Sequence, residues 1–248
     1  MKVTFVHHSC FIVELKEKIL VFDYFNGDRV NGYHFTGKLP EFDKDKRLYF
    51  FASHKHQDHF DLDILKLAEK YPKLQYVLSK DIRLGANYLR RHQIPADIKK
   101  RITFMSGYET KELDDLKIES LRSTDEGVAF YIETEGAHIY HAGDLHDWYF
   151  EGAGDLVNGK MESGFKAAMR HLEDKHINLA FVVLDGRLGM YTNRGMDYFM
   201  QHVNADYIFP MHMWQEYHLI ADYKKLCFNA RYTERIMDIT QENQVFEL

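Results

Sequence analysis

The chain has 248 residues, 45% of them apolar, which is enough core for one sizeable domain or two small ones, of ordinary enzyme dimensions. A formal charge of −6, from 38 acidic against 32 basic residues, argues against a nucleic-acid-binding surface, and no segment approaches the eighteen or so apolar residues that a membrane span needs. Cys10 and Cys227 lie far apart without CxxC spacing, and polar residues interrupt the N-terminus before a signal-peptide core can form, so a soluble cytoplasmic protein is expected.

Residues 3–6, 11–15 and 19–22 read as three short strands. His7-His8 in the first connection is either a turn or a support for a site, and the third strand ends on Asp23. Residues 24–47, rich in Gly, Asn, Asp and Lys, read as a long loop able to wall a cleft. Residues 48–53 form a continuous apolar run typical of a buried strand. Beyond the motif that follows it, residues 61–71 place Leu62, Leu65 and Ala68 at helical spacing, with Asp61 as N-cap and Pro72 as the stop. A strand at 75–78, a helix over 81–92 capped by Ser79, and strands at 102–104 and within 113–123, with Asp114-Asp115 turning the chain, complete the first half.

The second half echoes the first. A hairpin of residues 128–133 and 138–140 delivers His141-Ala-Gly-Asp144 at a strand end. The spacing of Phe165, Ala168, Met169 and Leu172 predicts a core-facing helix within 160–175. A buried strand at 179–184 ends on Asp185-Gly-Arg187, a helix carries Met196 to Val203, and a strand at 207–209 leads to Pro210-Met-His212. A helix over 217–228 and strands at 235–239 and 245–248 close the chain, with no linker dividing residues 1–248, so a single domain is expected.

The chemistry concentrates in His54-Lys-His56-Gln-Asp58-His59, which sits between the strand of residues 48–53 and the capped helix. His54 and His56, two apart on extended chain, project to one side and can grip one ion, while Asp58 and His59, past a tight turn, can face a second. Strand ends at Asp144 and His212 offer further donors. GxSxG, P-loop and GxGxxG patterns are absent, leaving serine-hydrolase, nucleotide-phosphatase and dinucleotide readings without support.

The order HxHxDH, then a strand-end Gly-Asp, then a late strand-end His, resembles the metallo-β-lactamase superfamily along nearly the whole chain. The segments His8-Ser-Cys-Phe11 and His141-Ala-Gly-Asp144 are most similar to its ascorbate-6-phosphate lactonase-like branch. The resemblance implies an α/β fold, a four-layer αββα sandwich, in which His54, His56, Asp58, His59, Asp144 and His212 converge on one or two divalent ions, zinc first with manganese as the alternative. Asp144 would bridge two ions, and Asp23 would buttress the ligand loop without touching metal. One departure stands out: where members carry a further histidine ligand, this chain reads Ser123-Thr-Asp125-Glu-Gly127. Asp125, His141 or His8 would fill that place, or the first site is incomplete.

The activity implied is metal-dependent hydrolysis of a small anionic metabolite, a lactone or phosphorylated ester. Asp58 would orient the attacking water and pass its proton to the leaving group. Arg187 is the candidate anion contact, against the alternative of a surface ion pair. Phosphodiester cleavage, including nuclease activity, and a non-catalytic metal-binding role are the competing readings.

Overall fold

The apolar runs of residues 1–105 pair into one mixed sheet in a computed structural model that describes residues 1–226 and 233–248. β1 (Lys2–His7), β2 (Cys10–Glu14) and β3 (Lys18–Phe22) meander antiparallel, and β4 (Arg47–Ala52), β5 (Gln75–Ser79) and β6 (Ile102–Met105) then follow parallel to β3. Parallel pairing needs crossovers, and the loop of residues 23–46 and the helical segments of residues 53–101 supply them. Alternation sorts the side chains. Ile19, Val21, Leu48 and Phe50 join Leu62, Ile64, Leu65 and Leu89 of the crossovers in one core cluster. On the opposite face the rings of Phe5 and Phe11 lie 5.1 Å apart and those of Phe22 and Phe51 5.0 Å apart.

Two crossover segments differ from the sequence expectation. Residues 61–71 form a 3-10 helix, Leu62–Glu69, in place of an α-helix. Asp61 caps it as predicted, accepting the Asp63 N–H at 2.9 Å. The Tyr76 hydroxyl donates to the carbonyls of Ile64 (2.9 Å) and Leu65 (3.3 Å), competing for the acceptors that an α-helical ladder would use. The predicted helix over 81–92 shortens to α1 (Ala86–Arg91). Ser79 belongs to β5, and the Asp81 carboxylate accepts the Lys55 N–H at 3.0 Å, so the chain stays non-helical as far as Gly85.

Residues 106–241 build a second sheet. β7 (Thr110–Leu113), β8 (Leu116–Arg122), β9 (Val128–Thr134) and β10 (Ala137–His141) are antiparallel. Glu135 and Gly136, at φ 50° and 75°, make the tight turn between β9 and β10. α2 (Asp155–Met169) and α3 (Arg194–His202) then cross over to β11 (His176–Val183) and β12 (Asn204–Met211), both parallel to β10. Phe165, Ala168 and Met169 of α2 are buried as predicted, although the helix begins earlier and Leu172 packs from the turn beyond it. Phe199 of α3 stacks on Tyr140 of β10 at 5.7 Å.

The predicted strand at 235–239 is a single bridge between Ile236 and Ile208, because the Ile236 N–H turns back to Thr233 O at 3.2 Å. α4 is His218–Leu226, starting one residue later than predicted; Cys227 and Phe228, the end of the helix predicted over 217–228, lie outside the described residues. β13 (Gln244–Glu247) returns to the first sheet beside β1, so the chain divides into two units, Met1–Met105 with Glu242–Leu248, and Ser106–Gln241. Among the described residues, no helix is long and apolar enough to cross a membrane.

Candidate metal centre

In each unit the sheet begins antiparallel and ends parallel, and Asp23 and the six predicted ligands follow the carboxyl ends of the parallel strands, where open α/β sheets place their chemistry; His8 and Asp125 lie instead in antiparallel connections. In the first unit Asp23 stands directly after β3, in left-handed backbone at φ 44°. Its fully buried carboxylate accepts the Ser53 N–H at 2.7 Å, the Ser53 hydroxyl at 2.6 Å and His59 Nδ1–H at 2.8 Å. With its proton held on Nδ1, His59 presents Nε2 as the lone-pair nitrogen.

Asp58 Oδ2 lies 3.8 Å from His59 Nε2 and 3.4 Å from His8 Nε2. His8, Asp58 and His59 thus offer three ligand atoms within 4.8 Å of one another. His8, expected from the sequence as a turn, a support or a substitute for the missing histidine, is carried there by the β1–β2 connection, where its own φ is 47°. His54 joins this group to His56: its ring lies 4.2 Å from that of His59 and, edge to face, 4.5 Å from that of His56, with His54 Nε2 and His56 Nδ1 2.9 Å apart. Two imidazole nitrogens at one point would hold a shared ion once both are free of the proton between them. Ser53 Oγ sits 2.9 Å from His54 Nδ1, so one serine ties both the Asp23 carboxylate and this imidazole. Imidazoles with a single carboxylate form a donor set that suits a divalent ion of zinc type.

In the second unit, Gly143 at φ 52° turns the chain after β10 and sets Asp144, whose Oδ1 lies 3.4 Å from His212 Nε2. His212 follows β12 at φ 63°, and its Nδ1 is 2.9 Å from Asp185 Oδ2. Left-handed backbone at non-glycine residues costs of order 1–3 kcal/mol and collects at functional sites; Asp23, His8 and His212 all adopt it. Burial alone would raise the Asp185 carboxyl, but hydrogen bonds and charge from His212 and Arg187 overcome it and hold the group well below the usual carboxylate range.

Arg187 donates from Nε to Asp185 Oδ1 at 3.0 Å and from Nη2 to Oδ2 at 2.6 Å, and its guanidinium lies 4.4 Å from the Trp214 ring centre. Its fork therefore faces a carboxylate of the protein. His141 is fully buried, and its Nδ1 accepts the Gly143 N–H at 3.1 Å, which shapes the turn before Asp144. Asp125 is exposed and has a carboxylate oxygen within 4.8 Å of one from Asp144. Thr124 makes that approach: its hydroxyl donates to His146 O at 2.6 Å and accepts the His146 N–H at 3.1 Å.

Two residues of this region escaped the sequence reading. Asp185 was seen only as the strand end before Arg187, though its position after β11 parallels that of Asp23 after β3. His146, two beyond Asp144, is fully buried with neither ring nitrogen hydrogen-bonded among the described residues, and burial pushes its imidazole down to about 3. Gly195 is required beside it, since a Cβ there would stand 2.3 Å from His146 Nδ1.

The fold and these donors define a member of the metallo-β-lactamase class, and the chain belongs to that superfamily: the family described as "Beta-lactamase superfamily domain" matches residues 2–151. Among solved structures, the isothiocyanate hydrolase from Delia radicum gut bacteria is 14% identical at a TM-score of 0.56, covering 100% of this chain and 99% of its own. The metallo-beta-lactamase fold protein YhfI from Bacillus subtilis is 13% identical at 0.54, covering 99% of each chain. CmlA, a diiron beta-hydroxylase from Streptomyces venezuelae, is 12% identical at 0.57, covering 100% of this chain and 54% of its own. At such identities the likeness is one of fold, on which differing chemistries are carried.

Proposed function

We propose that the protein is a metal-dependent hydrolase of a small anionic metabolite, a lactone or a phosphorylated ester, with His54, His56, Asp58, His59, Asp144 and His212 as metal ligands. The observation that carries this reading is the chain from Asp23 through His59 to Asp58 and His8, a buried carboxylate orienting an imidazole whose other nitrogen faces a second carboxylate and a second histidine. A bound divalent ion, zinc or manganese, supplies Lewis acidity toward the scissile oxygen and lowers the pKa of water.

The residues do the rest. Asp58, with a side chain 15% exposed, accepts a proton from the attacking water and returns it to the leaving group. Asp23 and Asp185 hold the tautomers of His59 and His212, and Arg187, engaged by Asp185, acts through that carboxylate. Asp125 supplies an oxygen donor beside Asp144 where relatives of this superfamily carry a histidine, which makes that side of the site harder. The lactone reading rests on the His8-Ser-Cys-Phe11 and His141-Ala-Gly-Asp144 segments, and the sparse cysteines without CxxC spacing support a cytoplasmic location.

Protein loaded with zinc or with manganese and screened against simple lactones, p-nitrophenyl phosphate and bis(p-nitrophenyl) phosphate tests the reading. Turnover of a lactone or the monoester is expected. Cleavage of the diester alone makes the protein a phosphodiesterase, and metal binding without turnover of any makes it a non-catalytic metal protein.

A further inference from the structure

A pocket of about 930 Å³ opens beside the HxHxDH loop, lined by His56 and Asp58 of that loop and by Ile82, Arg83, Leu84 and Tyr88, with every lining residue in the first unit. The volume suits a small metabolite. Its most informative member is Arg83, which is exposed and, among the described residues, makes no hydrogen bond or ion pair with the protein. Several other arginines are engaged: Arg187 by Asp185, Arg194 by Asp147, Arg29 by Asp61, and Arg101 by the carbonyls of Pro72 and Leu74; the side chains of Arg91, Arg122 and Arg170 share Arg83's lack of a partner among the described residues but do not line this pocket. Asp81, the acid nearest in sequence, directs Oδ2 to the Lys55 N–H.

The backbone carrying Arg83 is nonetheless fixed. Ile82 and Leu84 on either side are 3% and 7% exposed and belong to the core cluster of this unit, so the base of the arginine is anchored at both neighbours. A cationic fork anchored in this way, beside candidate ligands and apolar wall residues, has the form of an anion-recognition group.

We propose that this pocket receives the body of the substrate and that Arg83 grips an oxyanion, a carboxylate or a phosphate, remote from the scissile bond, while Ile82, Leu84 and Tyr88 contact an apolar or aromatic body. The substrate class is thus an ester or lactone bearing a separate anionic group. This deepens the hydrolase reading and rests on it only for the chemistry performed next to the pocket.

Binding tests the pocket apart from turnover. Phenylphosphonate, benzoate and neutral benzyl alcohol are titrated by calorimetry into metal-loaded parent, Arg83→Ala and Arg83→Lys proteins, whose unfolding midpoints are compared first. Arg83→Ala is expected to weaken at least one of the two anions about tenfold or more, since charge-assisted hydrogen bonds contribute on that scale, and to leave benzyl alcohol within about twofold. Arg83→Lys recovers part of the loss. Which anion responds identifies the oxyanion. Parent-like binding of both anions to Arg83→Ala overturns the proposal, because contact with the metal alone does not depend on Arg83. Hydrolysis of mono(p-nitrophenyl) glutarate against p-nitrophenyl butyrate forms the second arm, in which Arg83→Ala raises KM for the charged ester alone. If neither ester is cleaved while the anion still binds through Arg83, the hydrolase reading falls and the pocket stands.

Discussion

Asp185 and His212 face each other at 2.9 Å, and Asp23 and His59 repeat the arrangement at 2.8 Å in the other unit. In both pairs the carboxylate accepts Nδ1–H, so Nε2 is the nitrogen presented for coordination. Asp185→Ala is expected to weaken binding of zinc about 10- to 100-fold, measured by chelator competition, since such supporting partners contribute on that scale. An unchanged affinity would show that Asp185 serves only to anchor Arg187.

Asp58→Ala is expected to abolish turnover of any substrate the parent hydrolyses while leaving the unfolding midpoint within a few degrees. Asp58 sits on a loop outside the core cluster, so its loss removes the proposed proton acceptor and metal donor without opening a cavity. Near-native kcat in the purified variant would contradict the role assigned to it.

Asp125 and Asp144 bring carboxylate oxygens within 4.8 Å of each other, with Thr124 bonded to the backbone of His146 to hold the approach. Titration of apo protein with zinc and with manganese should therefore show one binding step lost in Asp125→Ala. Asp125→His should restore it with a stronger preference for zinc, because an imidazole is the softer donor. Three superimposable titrations would mean that Asp125 only turns the chain.

His7 gives a pH dependence of stability. It is fully buried, its ring centre 4.5 Å from that of Phe25 and 5.5 Å from that of Phe35, and desolvation pushes its imidazole from the ordinary 6.5 down to about 4. Between those values the unfolded chain binds the proton and the folded chain does not, so stability is complete above about pH 6.5 and falls as the pH drops toward 4. The loss is of order 3 kcal/mol for this group. Comparing urea midpoints of the parent and His7→Phe from pH 7 to 4.5 isolates it: the parent should fall more steeply, and parallel curves would contradict the assignment.

Much of the candidate site was legible because its donors are local in sequence. His54, His56, Asp58 and His59 lie within six residues between a buried apolar strand and a capped segment, and a pattern that dense identifies itself. Asp185 was not legible, since a carboxylate that supports a candidate ligand 27 residues away carries no spacing signal; only the register of β11 beside β12 brings it to His212. The overlong helix at 81–92 failed for a related reason: Asp81 has the composition of a helix start, but its carboxylate is held by Lys55, which is distant in sequence. Arg83 was hidden in that same stretch, and its exposure beside the HxHxDH loop appears only once the chain is folded.

The central claim is that the donors of the HxHxDH loop hold a divalent metal. Metal content by inductively coupled plasma mass spectrometry, on parent protein and on a His54→Ala, His56→Ala, His59→Ala triple variant purified identically, tests it most directly. About one to two equivalents of a transition metal per parent chain are expected, with a loss of at least one equivalent in the variant. Substoichiometric metal in the parent after reconstitution, or equal content in both proteins, would contradict it.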